Sequence, residues 1–204
     1  MSSNVQESIT VFPVWLETAP KTLLGGGVVS LQLRDLDEVT RGYMLEELER
    51  DIESNNLYIS DRLSERGKID YPNLLRQAIE NGNDATLATQ LRLHGRLRTR
   101  EPRTIRGKTS MVKVPANAPE VLAEGEFNRF YVRGLCRRVL AAGEGILIAY
   151  RARQSMNPRP ESLAIEGRRF AAEQLLQDLR DSVGVGTALG LPPGPNSGMS
   201  AFIA

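Results

Sequence analysis

The spacing of apolar positions changes period several times along the chain, and each change marks an element. SITVFPVWLE, residues 8–17, combines β-branched and aromatic residues with Pro13, which predicts an edge strand or an extended arm rather than a central strand. Gly25, Gly26 and Gly27 then form a turn before an expected strand, Val28–Leu33; no GKS/T or GxGxxG spacing follows, so the triple glycine is not read as a phosphate loop. From Asp37 the period becomes helical, with Val39, Tyr43, Leu45, Leu48 and Ile52 recurring and Asp35 or Asp37 placed to cap. The other face of that helix carries Glu38, Glu46, Glu47, Glu49 and Asp51. Arg41 and Arg50 interrupt these acids, so a solvated face is expected rather than a cation site.

Residues 57–91 read as a short extended piece, a turn at Arg66-Gly67, and a helix from Tyr71 to Glu80 that stops at Asn81-Gly82. A second helix follows, capped by Asp84, with Leu87, Ala88 and Leu91 facing inward and His94-Gly95 ending it. Partial alternation at Arg96-Leu97-Arg98 and Met111-Val112-Lys113-Val114, around the polar centre TREPRTIRGKTS, predicts a β-hairpin or a long loop with a basic tip.

The strongest local pattern spans 117–142. Asn117 and Glu120 have capping-box spacing, Pro119 suits the first turn, and Gly143 ends the helix. Phe127, Tyr131, Leu135 and Val139 form one stripe of it, and Arg129, Arg133 and Arg137 another. Gly125 leaves open a break into a short helix and a longer one. Ile146–Arg151 reads as a buried strand, SMNPRPES as a connector, and RRFAAEQLLQDLRDSVG as a helix with Phe170, Leu175, Leu176 and Leu179 inward. Beyond Gly184, PPGP and the neighbouring glycines predict an extended tail. Its apolar end, Ala201-Phe202-Ile203-Ala204, is expected to dock on its own body or on a second copy.

Together these elements predict an α+β fold: a single domain with a small mixed sheet, several helices and extended terminal arms. Residues 1–34 form the N-terminal arm and strands, 35–186 the core with a basic loop at 92–114, and 187–204 the tail. A length of 204 residues with 41% apolar, 25% charged and 5% aromatic side chains fits one globular domain. The sequence has no run of eighteen apolar residues, and MSSNVQESITVF lacks a secretory pattern, so a cytoplasmic protein without a membrane partner is expected.

Candidate chemistry is sparse. A single cysteine, Cys136, and a single histidine, His94, exclude an intrachain disulfide, four-cysteine zinc sites and paired-histidine sites. Cys136 falls among apolar helix residues and His94 at a helix end. Glu124 and Glu126 lack an Asp or Lys at nuclease spacing. No catalytic, cofactor or metal site is therefore predicted, and the chain reads as a non-enzyme.

Charge adds a partner. The net charge of +1 conceals 8 basic against 15 acidic residues over positions 1–91 and 14 against 5 over 92–153. Arg96, Arg98, Arg100, Arg103, Arg106, Lys108 and Lys113 crowd the basic middle, and Arg129, Arg133 and Arg137 repel one another unless phosphate or the acids of another segment or copy face them.

EGEFNRFYVRGLC at 124–136, YRAR at 150–153, NPRPES at 157–162 and LGLPPGPNSG at 189–198 resemble a family of uncharacterised proteins of bacterial genomes and prophage-like regions. That resemblance implies a phage context and no particular activity. Two expectations follow. The first is a non-enzymatic capsid or head-associated subunit of a phage-type virion, joined to copies of itself and to other virion proteins by opposite charges and terminal arms. The alternative is a nucleic-acid-binding accessory protein that meets DNA or RNA phosphates with the ten basic residues just named.

Overall fold

A computed structural model describes residues 30–184, 187, 189–192 and 197–204 of the chain. It shows an α+β domain of six helices and two small antiparallel sheets. The expected strand over 8–17, the glycine turn at 25–27 and the first two residues of the strand expected at 28–33 lie outside the described residues.

One helix organises the rest. α4 (Ala118–Ala141) runs unbroken through Gly125 and is buried on every side from Glu126 to Cys136, as a helix enclosed by neighbours must be. Three helices lie against it: α1 (Glu38–Glu53), α3 (Asp84–Arg92) and α6 (Ala172–Asp181). Gly134 is where α1 comes closest. A Cβ there would stand 2.8 Å from Met44 Cγ and 3.0 Å from the Thr40 carbonyl oxygen, so only glycine lets the two backbones meet.

α2 (Glu65–Asn81) begins at Ser64, whose hydroxyl accepts from Gly67 N at 3.1 Å, so the expected turn at Arg66-Gly67 is the helix's first turn. Asn83, not Asp84, caps α3 in a capping box with Thr86. Asp84 instead takes hydrogen bonds from Ser30 Oγ and Leu31 N and holds the incoming chain. At α4 the expected capping box is absent: Asn117 makes no side-chain cap, and Glu120 pairs with Arg92 instead.

β1 (Arg100–Ile105) and β2 (Lys108–Lys113) form a separate hairpin. The second sheet has the order β4-β3-β5, with β3 (Ile146–Arg151) between β4 (Arg169–Ala171) and β5 (Met199–Ile203). Among the described residues every pairing is antiparallel, so the sheet there is not the mixed one expected; β5 runs back beside β3. Phe170 sits on β4 rather than on the helix that follows. The apolar C-terminus therefore docks on its own body as a strand, not as an extended tail. Asn128 Nδ2 donates to Met199 O at 2.8 Å and Asp35 Oδ2 accepts from Ile203 N at 3.1 Å, which blocks that open edge against another strand. Glu124 fastens the same region, accepting from Arg153 at 2.8 Å and Gly198 N at 3.2 Å.

The acidic face of α1 is split. Thr40, Met44, Glu47, Leu48 and Asp51 form its buried stripe, while Val39, expected inside, is exposed. Glu47 and Asp51 point at Arg133 of α4, which is 0% exposed. Arg133 Nη2 donates to Glu47 Oε2 at 2.7 Å and Nη1 to Asp51 Oδ2 at 2.6 Å. Arg180 of α6 also grips Glu47, and Arg137 Nη1 reaches its Oε1 at 3.1 Å. Burial alone would raise the Glu47 carboxyl, but the Arg180 hydrogen bond and the Arg133 charge outweigh it and bring the pKa down to about 2. Nearby, Glu126 is buried with Arg129 Nε no closer than 3.9 Å. Desolvation raises its carboxyl to about 7 against the charges of Arg129 and Arg133, with Asp51 adding to the rise. The buried Tyr71 hydroxyl, which has no hydrogen-bond partner among the described residues, lies in the same field.

Two predictions follow from this core. Arg133→Met leaves Asp51 buried without its cation and should lower stability by about 3–5 kcal/mol in urea titrations; adding Asp51→Leu should recover part of that loss. The second concerns pH. Glu47, depressed to about 2, contributes stability present above pH 4.5 and lost as pH falls from 4.5 towards 2. Glu126, raised to about 7, contributes stability present below pH 4.5 and lost as pH climbs from 4.5 to 7. Glu126→Gln should therefore be more stable than the parent at pH 8, by on the order of 3 kcal/mol, with the difference vanishing near pH 4. An unchanged gap across that range in thermal melts contradicts it.

Candidate nucleic-acid interface

The ten basic residues expected at a phosphate or partner surface fall into two groups. Arg133 is sealed between Glu47 and Asp51. Arg129 is buried and donates to the carbonyls of Leu179 at 3.0 Å and Ser182 at 2.8 Å, at the end of α6. Arg137 is bound by Glu46 at 2.9 Å and by Glu47. The helical arginine stripe thus meets acids of its own chain, and Arg129 and Arg133 cannot reach phosphate in this fold. Arg96 is also internal, held by Asp70 at 2.7 Å and by the Gln90 carbonyl at 2.7 Å. Arg98 donates to Leu63 O at 3.1 Å and ties the hairpin base to the segment before α2.

The remaining five, Arg100, Arg103, Arg106, Lys108 and Lys113, lie on the β1–β2 hairpin. All fourteen positions from 100 to 113 are exposed except Glu101 and Val112, which are half-buried at the base. Base contacts are specific: Arg62 Nε pairs with Glu101 at 2.6 Å, Val114 N donates to Thr99 O at 3.1 Å, and Leu63 bridges to Leu97. Beyond them the ribbon stands clear of the body on both faces.

Register fixes what each face presents. Arg100 opposite Lys113, Pro102 opposite Met111 and Thr104 opposite Thr109 share one face, and the two threonine hydroxyls bond at 2.7 Å. Glu101 opposite Val112, Arg103 opposite Ser110 and Ile105 opposite Lys108 share the other. The turn is Arg106-Gly107, with φ of +50° and +77°. Two positive φ values are what a tight two-residue hairpin turn requires. Glycine adopts that conformation freely, whereas arginine is held there at a cost of roughly 1–2 kcal/mol. The cation at the tip is thus kept against the backbone's preference.

Among the described residues, no carboxylate lies within 4.0 Å of a nitrogen of Arg100, Arg103, Arg106, Lys108 or Lys113. Arg100 Nη2 donates to Met111 O at 2.9 Å, and Arg103 lies within the field of Glu101. At the foot of the ribbon, a cleft of about 280 Å³ is lined by Arg92, Arg98, Thr99, Lys113, Val114 and Pro119. The opposite side carries a second cleft of about 360 Å³ with Tyr58, Arg62 and Glu101 on its walls. What sequence reasoning missed is the set that joins the helices, Glu47, Asp51 and Arg180. The signal for the two acids was present in the 44-47-48-51 spacing of α1, which puts them on the stripe of Met44 and Leu48.

Among the described residues, no three His, Cys, Asp or Glu side chains are grouped to hold a metal, and no helix is long and apolar enough to cross a membrane. Cys136 is fully buried and its thiol is pushed up by desolvation, which makes it a core residue rather than a nucleophile. His94 is exposed with φ of +57° just beyond α3. No protein-family model, no curated protein and no solved structure matches this chain.

Proposed function

We propose that the protein is a non-catalytic nucleic-acid-binding accessory protein that holds the phosphate backbone with its β1–β2 hairpin. The observation that carries this reading is selective neutralisation. Most basic side chains of the domain face a carboxylate or carbonyl of their own chain, while Arg103, Arg106, Lys108 and Lys113 project on an exposed ribbon without an ion-pair partner among the described residues. Unpaired cations on a projecting ribbon attract phosphates by releasing their counterions.

A virion or particle-building role rested on attraction between an acidic front and a basic middle, and on free arms. Much of that attraction is met within one chain, since acids of α1 pair with arginines of α4 and α6. The last strand is likewise placed in its own sheet. The nucleic-acid reading therefore stands first.

Binding of a 20-nucleotide fluorescent DNA, followed by anisotropy at several salt concentrations, tests it. If the five hairpin cations reach phosphates, log Kd should rise with log salt at a slope of about 4, and each charge removed should lower the slope by about 1. Arg106→Asn is the cleanest variant. It removes the tip charge while placing a residue that tolerates positive φ, so melting temperature should hold or rise as affinity falls. Wild-type affinity in the Arg103→Gln, Arg106→Asn, Lys108→Gln triple variant would sink the proposal.

A further inference from the structure

The dimensions and chemistry of the hairpin narrow the kind of nucleic acid, on the premise that it binds nucleic acid at all. We infer that the ribbon enters the major groove of B-form duplex DNA tip first.

A two-stranded ribbon with side chains on both faces is about 10 Å thick. The major groove of B-DNA is about 12 Å wide and admits it, whereas the minor groove, about 6 Å wide, does not. Groove depth is about 8.5 Å, which at about 3.4 Å per residue takes in the turn and the outermost one or two residue pairs. The turn is Arg106-Gly107 and those pairs are Ile105 with Lys108 and Thr104 with Thr109; the long side chain of Arg103, opposite Ser110, starts one pair further back.

This set has the chemistry of base reading. Arginine forks match the paired acceptors of guanine, hydroxyls meet either kind of base, and an exposed aliphatic chain such as Ile105 suits the thymine methyl. Behind them Arg100 and Lys113 lie opposite each other at the foot of the ribbon, where the phosphate rim of the groove would fall.

Two alternatives fit less well. Single strands are held largely by stacking on aromatic rings, and residues 100–113 contain no Phe, Tyr or Trp. The A-form RNA duplex has a deep, narrow major groove that side chains cannot read.

The test measures affinity of the full chain for one 20-base-pair DNA duplex, for its separate strands, and for an RNA duplex of the same sequence. Methylation protection of guanine N7 is then mapped on the DNA duplex. The expected result is at least tenfold tighter binding to duplex DNA than to the other two, with guanines protected. Arg103→Gln and Arg106→Asn should each weaken duplex binding roughly tenfold and erase part of that preference, while Lys113→Gln should weaken all three substrates alike. Equal affinity for the three, or duplex binding with no N7 protection, overturns the groove inference and leaves phosphate binding by the hairpin intact. Binding to none of them at low salt overturns both.

Discussion

The buried guanidinium of Arg133 is the constraint on which the arrangement of helices depends. An isolated cation in a protein interior is prohibitively costly, so α4 can occupy the centre of the domain only if acids accompany that side chain. Glu47 and Asp51 are one helical turn apart on α1, and a single register of α1 on α4 places both against it. Gly134, next in sequence, permits the close approach that this register needs. Arg180 then brings α6 to the same carboxylate. Hydrophobic burial supplies the drive to collapse, but leucine stripes can slide by a turn, whereas this ionic cluster has one solution. The polar centre thus acts on specificity more than on net stability.

That cluster also changes what the charge distribution means. A chain with an acidic front and a basic middle invites the idea of copies attracting one another, but the fold brings the two halves together inside one molecule. The pairs Arg138–Asp37 and Arg137–Glu46 repeat the pattern nearer the surface, as the buried Arg96 does with Asp70 further in. Each such exposed pair contributes little energy, yet each masks a cation from an outside partner. What is left over is informative because so much has been neutralised.

Element type and order were legible wherever periodicity and end signals agreed. α1, α3, α4 and β3 lie close to their expected bounds because glycine stops and apolar spacing agreed, although the cap expected at Asp84 falls on Asn83 and the capping box expected at α4 is absent. Misreadings arose where tertiary partners decide. Glu47 and Asp51 look solvated in sequence because acids seldom enter a core; only the arginine stripe of α4 hinted that acids had to face it. The seven-residue cluster Arg96 to Lys113 was legible as a basic feature but not as an internal and a projecting set, since nothing local distinguishes Arg96, which is buried, from Arg106, which projects. The C-terminal strand was hidden behind PPGP, whose local stiffness says nothing about the five residues that follow.

Where a local rule is broken without structural gain, function is the natural place to look for the reason. Gly134 breaks helix propensity and is repaid by helix contact. Arg106 offers no such return: its side chain has no hydrogen-bond or ion-pair partner among the described residues, its backbone is in the left-handed region, and Asn or Gly would make a better turn. Ile105 and Met111, both more than half exposed, are similarly out of place on a ribbon that leans on nothing. A hairpin optimised only to fold would carry none of these three. Ile105 and Arg106 at the tip and Met111 further down all fall on the one element that leaves the body among the described residues, which argues that this ribbon was not shaped by folding alone, and the cations around them are left unneutralised.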